Sequence, residues 1–140
     1  MEEILKAIPH RPPFLFVDKI IEITDTKIKA TRKVNPQEEY FKGHYPGNPI
    51  MPGVLICEAI FQSGAILLSR IIGQVDDGVP VLVRINNARF KSMVKPGDTL
   101  ELEAEVVEKV SSAYFLKGKA SVDGRTAATV EFAVTLANNK

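Results

Sequence analysis

The residue best suited to base catalysis lies in a loop rich in proline and glycine. His44 sits in residues 43–47, GHYPG, where this composition predicts a rigid backbone. An imidazole is largely neutral at cellular pH, which makes His44 a candidate general base. The commoner role for a lone loop histidine is a structural hydrogen bond, and the sequence leaves that alternative open.

The candidate acid lies on the apolar segment that follows. Glu58, Gln62 and Ser69 are spaced by four and then seven residues, which places them on one stripe of a predicted helix. A carboxyl group in apolar surroundings tends to keep its proton, so Glu58 is a candidate general acid. A solvent-facing carboxylate on the helix surface fits the spacing equally well.

The start of this helix is a third candidate group. Pro52 and Gly53 open it, and the first N–H groups of a helix lack intrahelical partners and lie at the positive end of its dipole. A carbonyl oxygen that gains negative charge can bind there. Ordinary helix capping is the alternative.

Other kinds of site are disfavoured. Two histidines and one cysteine, far apart, do not form a zinc site, so we expect no metal. Cys57 lies among apolar neighbours and is predicted to be a buried hydrophobe rather than a nucleophile paired with His44. We interpret His10, which lies among prolines, as structural. Phosphate-binding and dinucleotide-binding motifs are missing from the sequence.

The pattern around these residues predicts two strands, one long helix and four further strands. A short helix is expected at 2–7, strands at 14–23 and 27–34, a long loop at 35–52, and the main helix at 53–72, ended by Gly73. Strands follow at 80–91, 100–106, 113–122 and 125–136, with turns at 96–98 and 123–124.

A helix that is apolar nearly all round must be covered on most of its faces. We therefore predict a single α+β domain over residues 1–140, in which a curved antiparallel sheet of about six strands wraps one long central helix. Such a sheet leaves an edge with which a second copy can pair, so we expect at least a homodimer.

Composition fits one ordinary globular domain: 140 residues, 45% hydrophobic and 25% charged, with a net charge of +1. This charge gives no indication of nucleic-acid binding. The start, Met1 to Glu3, is acidic and precedes no apolar run, so we expect a cytoplasmic protein. Residues 54–72 approach the length of a membrane span but contain Glu58 and Arg70, which favours a buried soluble helix.

Three segments resemble the 3-hydroxyacyl-acyl-carrier-protein dehydratases of the FabZ type, from bacterial type II fatty acid synthesis. They are residues 43–62, GHYPGNPIMPGVLICEAIFQ, residues 8–20, IPHRPPFLFVDKI, and residues 87–100, NARFKSMVKPGDTL. The resemblance covers nearly the whole chain. It implies the hot-dog fold, in which a sheet wraps a long helix, and dimers joined edge to edge, often assembled as trimers of dimers.

The resemblance also implies roles for individual residues. His44 matches the family's catalytic histidine and Glu58 its acid, and in the family these two meet across the dimer. The backbone amides of Gly53 and Val54 match groups that face the thioester carbonyl, and Gln62 matches a glutamine that we expect to orient the acid. The implied reaction converts (3R)-3-hydroxyacyl-acyl-carrier protein to the trans-2-enoyl thioester. The substrate rides on the phosphopantetheine arm of acyl carrier protein, and no other cofactor is expected.

The chain departs from the family near the mouth of the acyl tunnel. Val81 and Leu82 stand where an aromatic pair is common, and Arg84 and Phe61 replace small residues. We expect Val81 and Arg84 to contact substrate, and these changes leave open a specialised polyketide or polyene pathway.

Two further interpretations concern partners and alternative activities. Arg89, Lys91 and Lys95 are candidate docking residues for acidic acyl carrier protein, with a plain solvated strand face as the alternative. A hot-dog thioesterase, in which Glu58 activates water, and a noncatalytic acyl-carrier-binding subunit are the competing functions.

Overall fold

One long helix and a six-stranded antiparallel sheet make up the computed structural model, which describes residues 1–73 and 78–138. In chain order the elements are α1 (Glu2–Ala7), β1 (Lys19–Ile23), β2 (Lys27–Lys33), a 3-10 turn (Glu39–Lys42), α2 (Gly53–Ile72), β3 (Gly78–Phe90), β4 (Thr99–Val110), β5 (Ala113–Val122) and β6 (Arg125–Asn138). The strand order in the sheet is β1-β2-β4-β5-β6-β3. The predicted α+β architecture is confirmed.

Helix α2 forms the centre of the core and has the bounds that the sequence predicts. Its buried residues, among them Ile60, Leu67 and Leu68, pack against β2, β4, β5 and β6. Gly73 ends it in the left-handed region at φ +77°. By length and composition α2 could span a membrane, but 56% of its apolar stretch is buried inside the protein, as expected for a core helix.

The sheet approaches α2 closely where glycine replaces a side chain. A Cβ atom on Gly118 of β5 would lie 2.2 Å from Cγ2 of Ile60 and 3.1 Å from the carbonyl oxygen of Glu103. Gly64 of α2 is similarly tight, because its Cβ atom would lie 2.8 Å from the ring of Phe132. The two glycines therefore set the distance between the helix and β5 and β6.

One predicted strand is wrong in its first half. Residues 14–18 are not in a strand, and β1 begins at Lys19. The Phe16 N–H donates to the Gln62 side-chain oxygen, and the Phe14 carbonyl accepts from the Gln62 amide nitrogen. The backbone of Phe14 and Phe16 is thus bonded to a helix side chain, and strand pairing starts only at Asp18, whose N–H donates to the Thr31 carbonyl of β2 at 2.8 Å.

The two edges of the sheet differ in character. At one edge, β1 is only five residues long and carries Lys19 and Glu22, features that discourage further strand pairing. At the other, β3 pairs with β6 on one side, and its middle residues are exposed on both faces: Val81 38%, Leu82 37%, Val83 56% and Ile85 51%. The β3 edge is therefore the one at which a second copy is predicted to pair.

Replacing Gly118 by alanine is expected to lower the free energy of unfolding by about 1–3 kcal/mol, because the added methyl group overpacks a closed core. Urea unfolding followed by circular dichroism measures this change. Gly47→Ala is the control, since a Cβ atom there meets nothing within 4 Å. Equal effects of the two substitutions would contradict the assigned role of Gly118.

Candidate active site

Glu58 lies in a small pocket beside α2. Its Oε2 atom accepts a hydrogen bond from Nε2 of Gln62 at 3.0 Å, so the i,i+4 pair predicted from the spacing is formed. The Glu58 side chain is 22% exposed. The pocket has a volume of about 130 Å³ and is lined by His10, Glu58, Phe61, Gln62, Ala65, Pro80, Leu82 and Val134. A carboxyl group thus faces a mainly apolar cavity.

Gln62 fixes the carboxyl group of Glu58. The Gln62 side chain is 1% exposed and bonded at both ends of its amide. Its Oε1 accepts from the Phe16 N–H at 2.8 Å, and its Nε2 donates to the Phe14 carbonyl at 2.9 Å as well as to Glu58. Because the Phe16 N–H can only donate, the orientation of the amide is determined.

The His44 ring is held by the backbone of its own loop. Its Nδ1 atom lies 2.9 Å from the carbonyl oxygen of Ile50, which can only accept, so Nδ1 carries the proton. The His44 N–H donates to the Tyr40 carbonyl at 3.0 Å, and the ring lies edge-on to Tyr45, with centroids 4.7 Å apart. In the neutral ring this contact leaves the lone pair on Nε2.

The loop that carries His44 is tied to the sheet. Arg32 of β2 pairs with Asp18 at 2.9 Å and with Glu38, which lies immediately before the 3-10 turn. At the far end of the loop, the Met51 N–H donates to the Val94 carbonyl at 2.7 Å.

Burial and the neighbouring Glu38 raise the pKa of Tyr40 far above its usual range, so its phenol stays protonated.

The first amides of α2 precede its hydrogen-bond ladder. The Leu55 and Ile56 N–H groups donate to the Pro52 carbonyl at 3.0 and 3.1 Å, so the ladder begins after Gly53 and Val54. A Cβ atom on Gly53 would lie 2.7 Å from the ring of Phe90, so a larger residue there would have to displace that exposed ring. Two backbone donors thus lie at the positive end of the helix dipole.

The structure does not bring His44 to Glu58 within one chain. His44 is absent from the described lining of the Glu58 pocket, and the imidazole found there is that of His10. Our sequence interpretation of His10 as merely structural missed this contact. No regular spacing links His10, which precedes β1, to Glu58 on α2. The one indication in the sequence was that His10 lies in one of the three segments that resemble the dehydratases.

Two predicted substrate contacts on β3 face away from this pocket. Leu82 pairs with Val134, which lines the pocket, whereas Val81 pairs with Thr135 on the opposite face. A register shift between Leu82 and Arg84 makes Arg84 the partner of Ala133, which turns its side chain to the outer face. Within one chain Leu82 lines the Glu58 pocket and Val81 and Arg84 do not, while their contact with substrate stays a prediction.

The remaining candidate residues have different surroundings. Phe61 lines the pocket and packs on Phe132, with ring centroids 4.9 Å apart. Burial raises the pKa of the Cys57 thiol, which suits a packing role rather than a nucleophile. The three candidate docking residues, Arg89, Lys91 and Lys95, are exposed. Among the residues described, no three His, Cys, Asp or Glu side chains are placed to hold a metal ion.

The comparisons with known proteins show the family of the chain. A family model described as a FabA-like domain matches residues 8–131. A 3-hydroxyacyl-[acyl-carrier-protein] dehydratase FabZ from Clostridium perfringens is 46% identical over 132 residues, covering 94% of each chain. One of the same description from Petrotoga mobilis is 43% identical and covers 96% of this chain and 95% of its own. The chain belongs to the FabZ dehydratase family.

Solved structures show the fold of this FabZ-family chain. The dehydratase heterocomplex ApeI:P from Xenorhabdus doucetiae superposes with a TM-score of 0.81 at 16% identity, covering 96% of this chain and 91% of that one. A hypothetical thioesterase from Streptococcus pneumoniae TIGR4, solved with coenzyme A, gives 0.68 at 14% identity, with coverages of 98% and 93%. At such identities the likeness concerns the fold alone. The predicted hot-dog fold is confirmed.

Substitution of Gln62 by leucine is expected to lower the free energy of unfolding by about 1–3 kcal/mol, because the buried Phe16 N–H loses its acceptor. Urea unfolding measures the change. The same substitution at Gln37, whose side chain is exposed, serves as the matched control and should change stability by less than about 0.5 kcal/mol. A Gln62 variant as stable as the control would mean that the hydrogen bonds of the Gln62 side chain contribute nothing to the free energy of unfolding.

Proposed function

We propose that this FabZ-family chain dehydrates (3R)-3-hydroxyacyl-acyl-carrier protein with His44 as general base and Glu58 as general acid. Family membership makes the chain a 3-hydroxyacyl-acyl-carrier-protein dehydratase of fatty acid or polyketide biosynthesis. The observation that best supports the residue roles is the tautomer of His44, whose protonated Nδ1 leaves Nε2 free to accept a proton.

The proposed steps balance without a redox partner. Nε2 of His44 takes the proton from the carbon next to the thioester, and the electrons of that C–H bond move toward the carbonyl. The Gly53 and Val54 amides stabilise the negative charge on the carbonyl oxygen. Glu58 then donates its proton to the 3-hydroxyl, the C–O bond breaks, and water leaves the trans-2-enoyl thioester. Solvent exchange returns the proton of His44 to Glu58.

A second copy of the chain completes the proposed site. His44 does not line the Glu58 pocket within one chain, and β3 offers an unpaired edge with apolar side chains on both faces. Val54, at the start of α2, is 74% exposed, and Phe90, at the end of β3, is 55% exposed. Pairing of two β3 edges would cover apolar surface on this side and bring the partner's loop toward Glu58. Three such dimers form the proposed hexamer.

The substrate is proposed to arrive on the phosphopantetheine arm of acyl carrier protein, and the steps above use no further cofactor. We expect the enzyme to work in the cytoplasm. Residues Leu82 and Phe61, which face the Glu58 pocket, are placed to limit the acyl group that enters. Val81 and Arg84 lie on the opposite face of β3, so a contact of these two residues with substrate would have to be made outside the Glu58 pocket of the same chain.

An assay on a 3-hydroxyacyl-acyl-carrier-protein thioester tests the activity, with enoyl product and free thiol recorded together. We expect enoyl product from the wild type and a loss of about 100-fold or more in both His44→Ala and Glu58→Gln, the scale of acid–base catalysis. Free thiol alone would establish a thioesterase. No turnover at any chain length would indicate a noncatalytic acyl-carrier-binding subunit.

Mixing the two inactive variants tests whether the site is shared between subunits. After joint unfolding and refolding, half of the dimers are mixed, and each has one site with both residues intact. About a quarter of the wild-type activity should therefore return. Variants refolded separately and then combined are the control. A mixture that stays inactive would place His44 and Glu58 of each site in the same chain.

Charge reversal tests docking of acyl carrier protein. Two variants are made: the double variant Arg89→Glu/Lys91→Glu and the single variant Lys95→Glu. Each is expected to raise KM for the carrier-borne substrate about fivefold or more, since acidic partners bind basic surfaces. KM for a short soluble thioester should stay unchanged. Lys19→Glu, on the exposed opposite edge of the sheet, is the matched control. Equal effects on both substrates would remove these residues from docking.

A further inference from the structure

The pocket holds a second side chain next to the candidate acid. Nε2 of His10 lies 3.6 Å from Oε2 of Glu58, the oxygen that also accepts the hydrogen bond from Gln62. The His10 and Glu58 side chains are 29% and 22% exposed. Oε2 of Glu58 thus faces two nitrogen atoms from different parts of the chain, and Oε1 faces neither of them.

The backbone around His10 is firmly placed. The guanidinium group of Arg11 donates to the carbonyls of Leu5, Ile8 and His10 at 3.0, 2.9 and 2.7 Å, which ties the segment to the end of α1. The imidazole lies nearly parallel to the Phe14 ring, with centroids 6.4 Å apart. Phe14 is also where the backbone meets Gln62. The segment that carries His10 is therefore the one that the Gln62 amide binds.

The surroundings of the His10 ring select its tautomer. Its Nδ1 atom is buried and has no hydrogen-bond partner among the residues that the structure describes. A proton on Nδ1 would be a buried donor without an acceptor, which is more costly than a buried lone pair. The proton therefore belongs on Nε2, the atom that faces Glu58.

We propose that His10 is a positioning residue for the acid of the dehydration reaction: as the Nε2–H tautomer it donates, together with Gln62, to Oε2 of Glu58. Two donors on Oε2 make it the carbonyl-like oxygen, so the transferable proton sits on Oε1, ready for the substrate's 3-hydroxyl. The distance of 3.6 Å exceeds hydrogen-bond length by roughly 0.5 Å, so the proposal requires this contact to shorten when substrate binds. This inference rests on the proposed role of Glu58.

Nitrogen NMR of the two imidazoles tests the placement without any activity assay. The chain has two histidines, so His10→Phe and His44→Ala assign both sets of signals. We expect opposite tautomers at neutral pH: Nδ1–H for His44 and Nε2–H for His10. Glu58→Gln should shift the His10 signals and leave the tautomer of His44 unchanged. A His10 ring with its proton on Nδ1, or protonated on both nitrogens, would overturn the proposal.

Kinetics on carrier-borne substrate test the consequence. His10→Phe keeps an aromatic ring against Phe14 but removes the donor, and we expect kcat to fall about 10-fold to 100-fold with KM within about twofold. His10→Gln presents an amide N–H near the same place and should stay within about threefold of the wild type. Equal losses in the two variants, or a change confined to KM, would contradict a positioning role.

The two experiments separate this inference from the proposed function. Wild-type protein that shows the expected tautomers but forms no enoyl product would refute the dehydration mechanism and leave the His10 contact standing. Dehydration by a protein whose His10 has the opposite tautomer would refute the positioning role alone. Urea unfolding of His10→Phe excludes a general loss of structure as the cause of a lower kcat.

Discussion

The amide of Gln62 is the interaction on which the site depends. Its buried side chain bonds the backbone of Phe14 and Phe16 on one side and the carboxyl group of Glu58 on the other. A buried amide with both ends satisfied has one orientation, which it imposes on its partners. The N-terminal segment, the acid on α2 and the ring of His10 are all placed through this side chain.

The apolar character of α2 gives that polar group its importance. The sheet surrounds the helix so closely that glycine is needed at positions 64 and 118, which leaves little freedom for side chains between helix and strands. Polar atoms in such a place must be paired, and Gln62 and Ser63 both are. Glu58, the one ionisable residue among Glu58, Gln62 and Ser69 on this side of the helix, lies at the margin of the core, where the pocket begins.

Much of the fold follows from periodicity, and the failures have local causes. The helix at 53–72 and the strand at 113–122 have the predicted bounds, because continuous apolarity and clear turns mark them. Residues 14–17 form an apolar run like a buried strand, but the side chain of Gln62 takes the hydrogen bonds of Phe14 and Phe16. The orientation of Arg84 depends on one extra residue in β3, which spacing does not reveal. His44 and Glu58 stood out by residue type, whereas the place of His10 needs tertiary contacts.

The exposed apolar edge of β3 ties folding to assembly. A long edge strand with apolar side chains on both faces is a template for uncontrolled strand addition. A separated subunit would thus be prone to aggregate as well as lacking part of the proposed site. With the proposed pairing of two β3 edges, which is bimolecular, the stability of the native protein would rise with its own concentration. The amount of enzyme in a cell would therefore help to determine how much of it stays in solution and how much of it can catalyse the reaction.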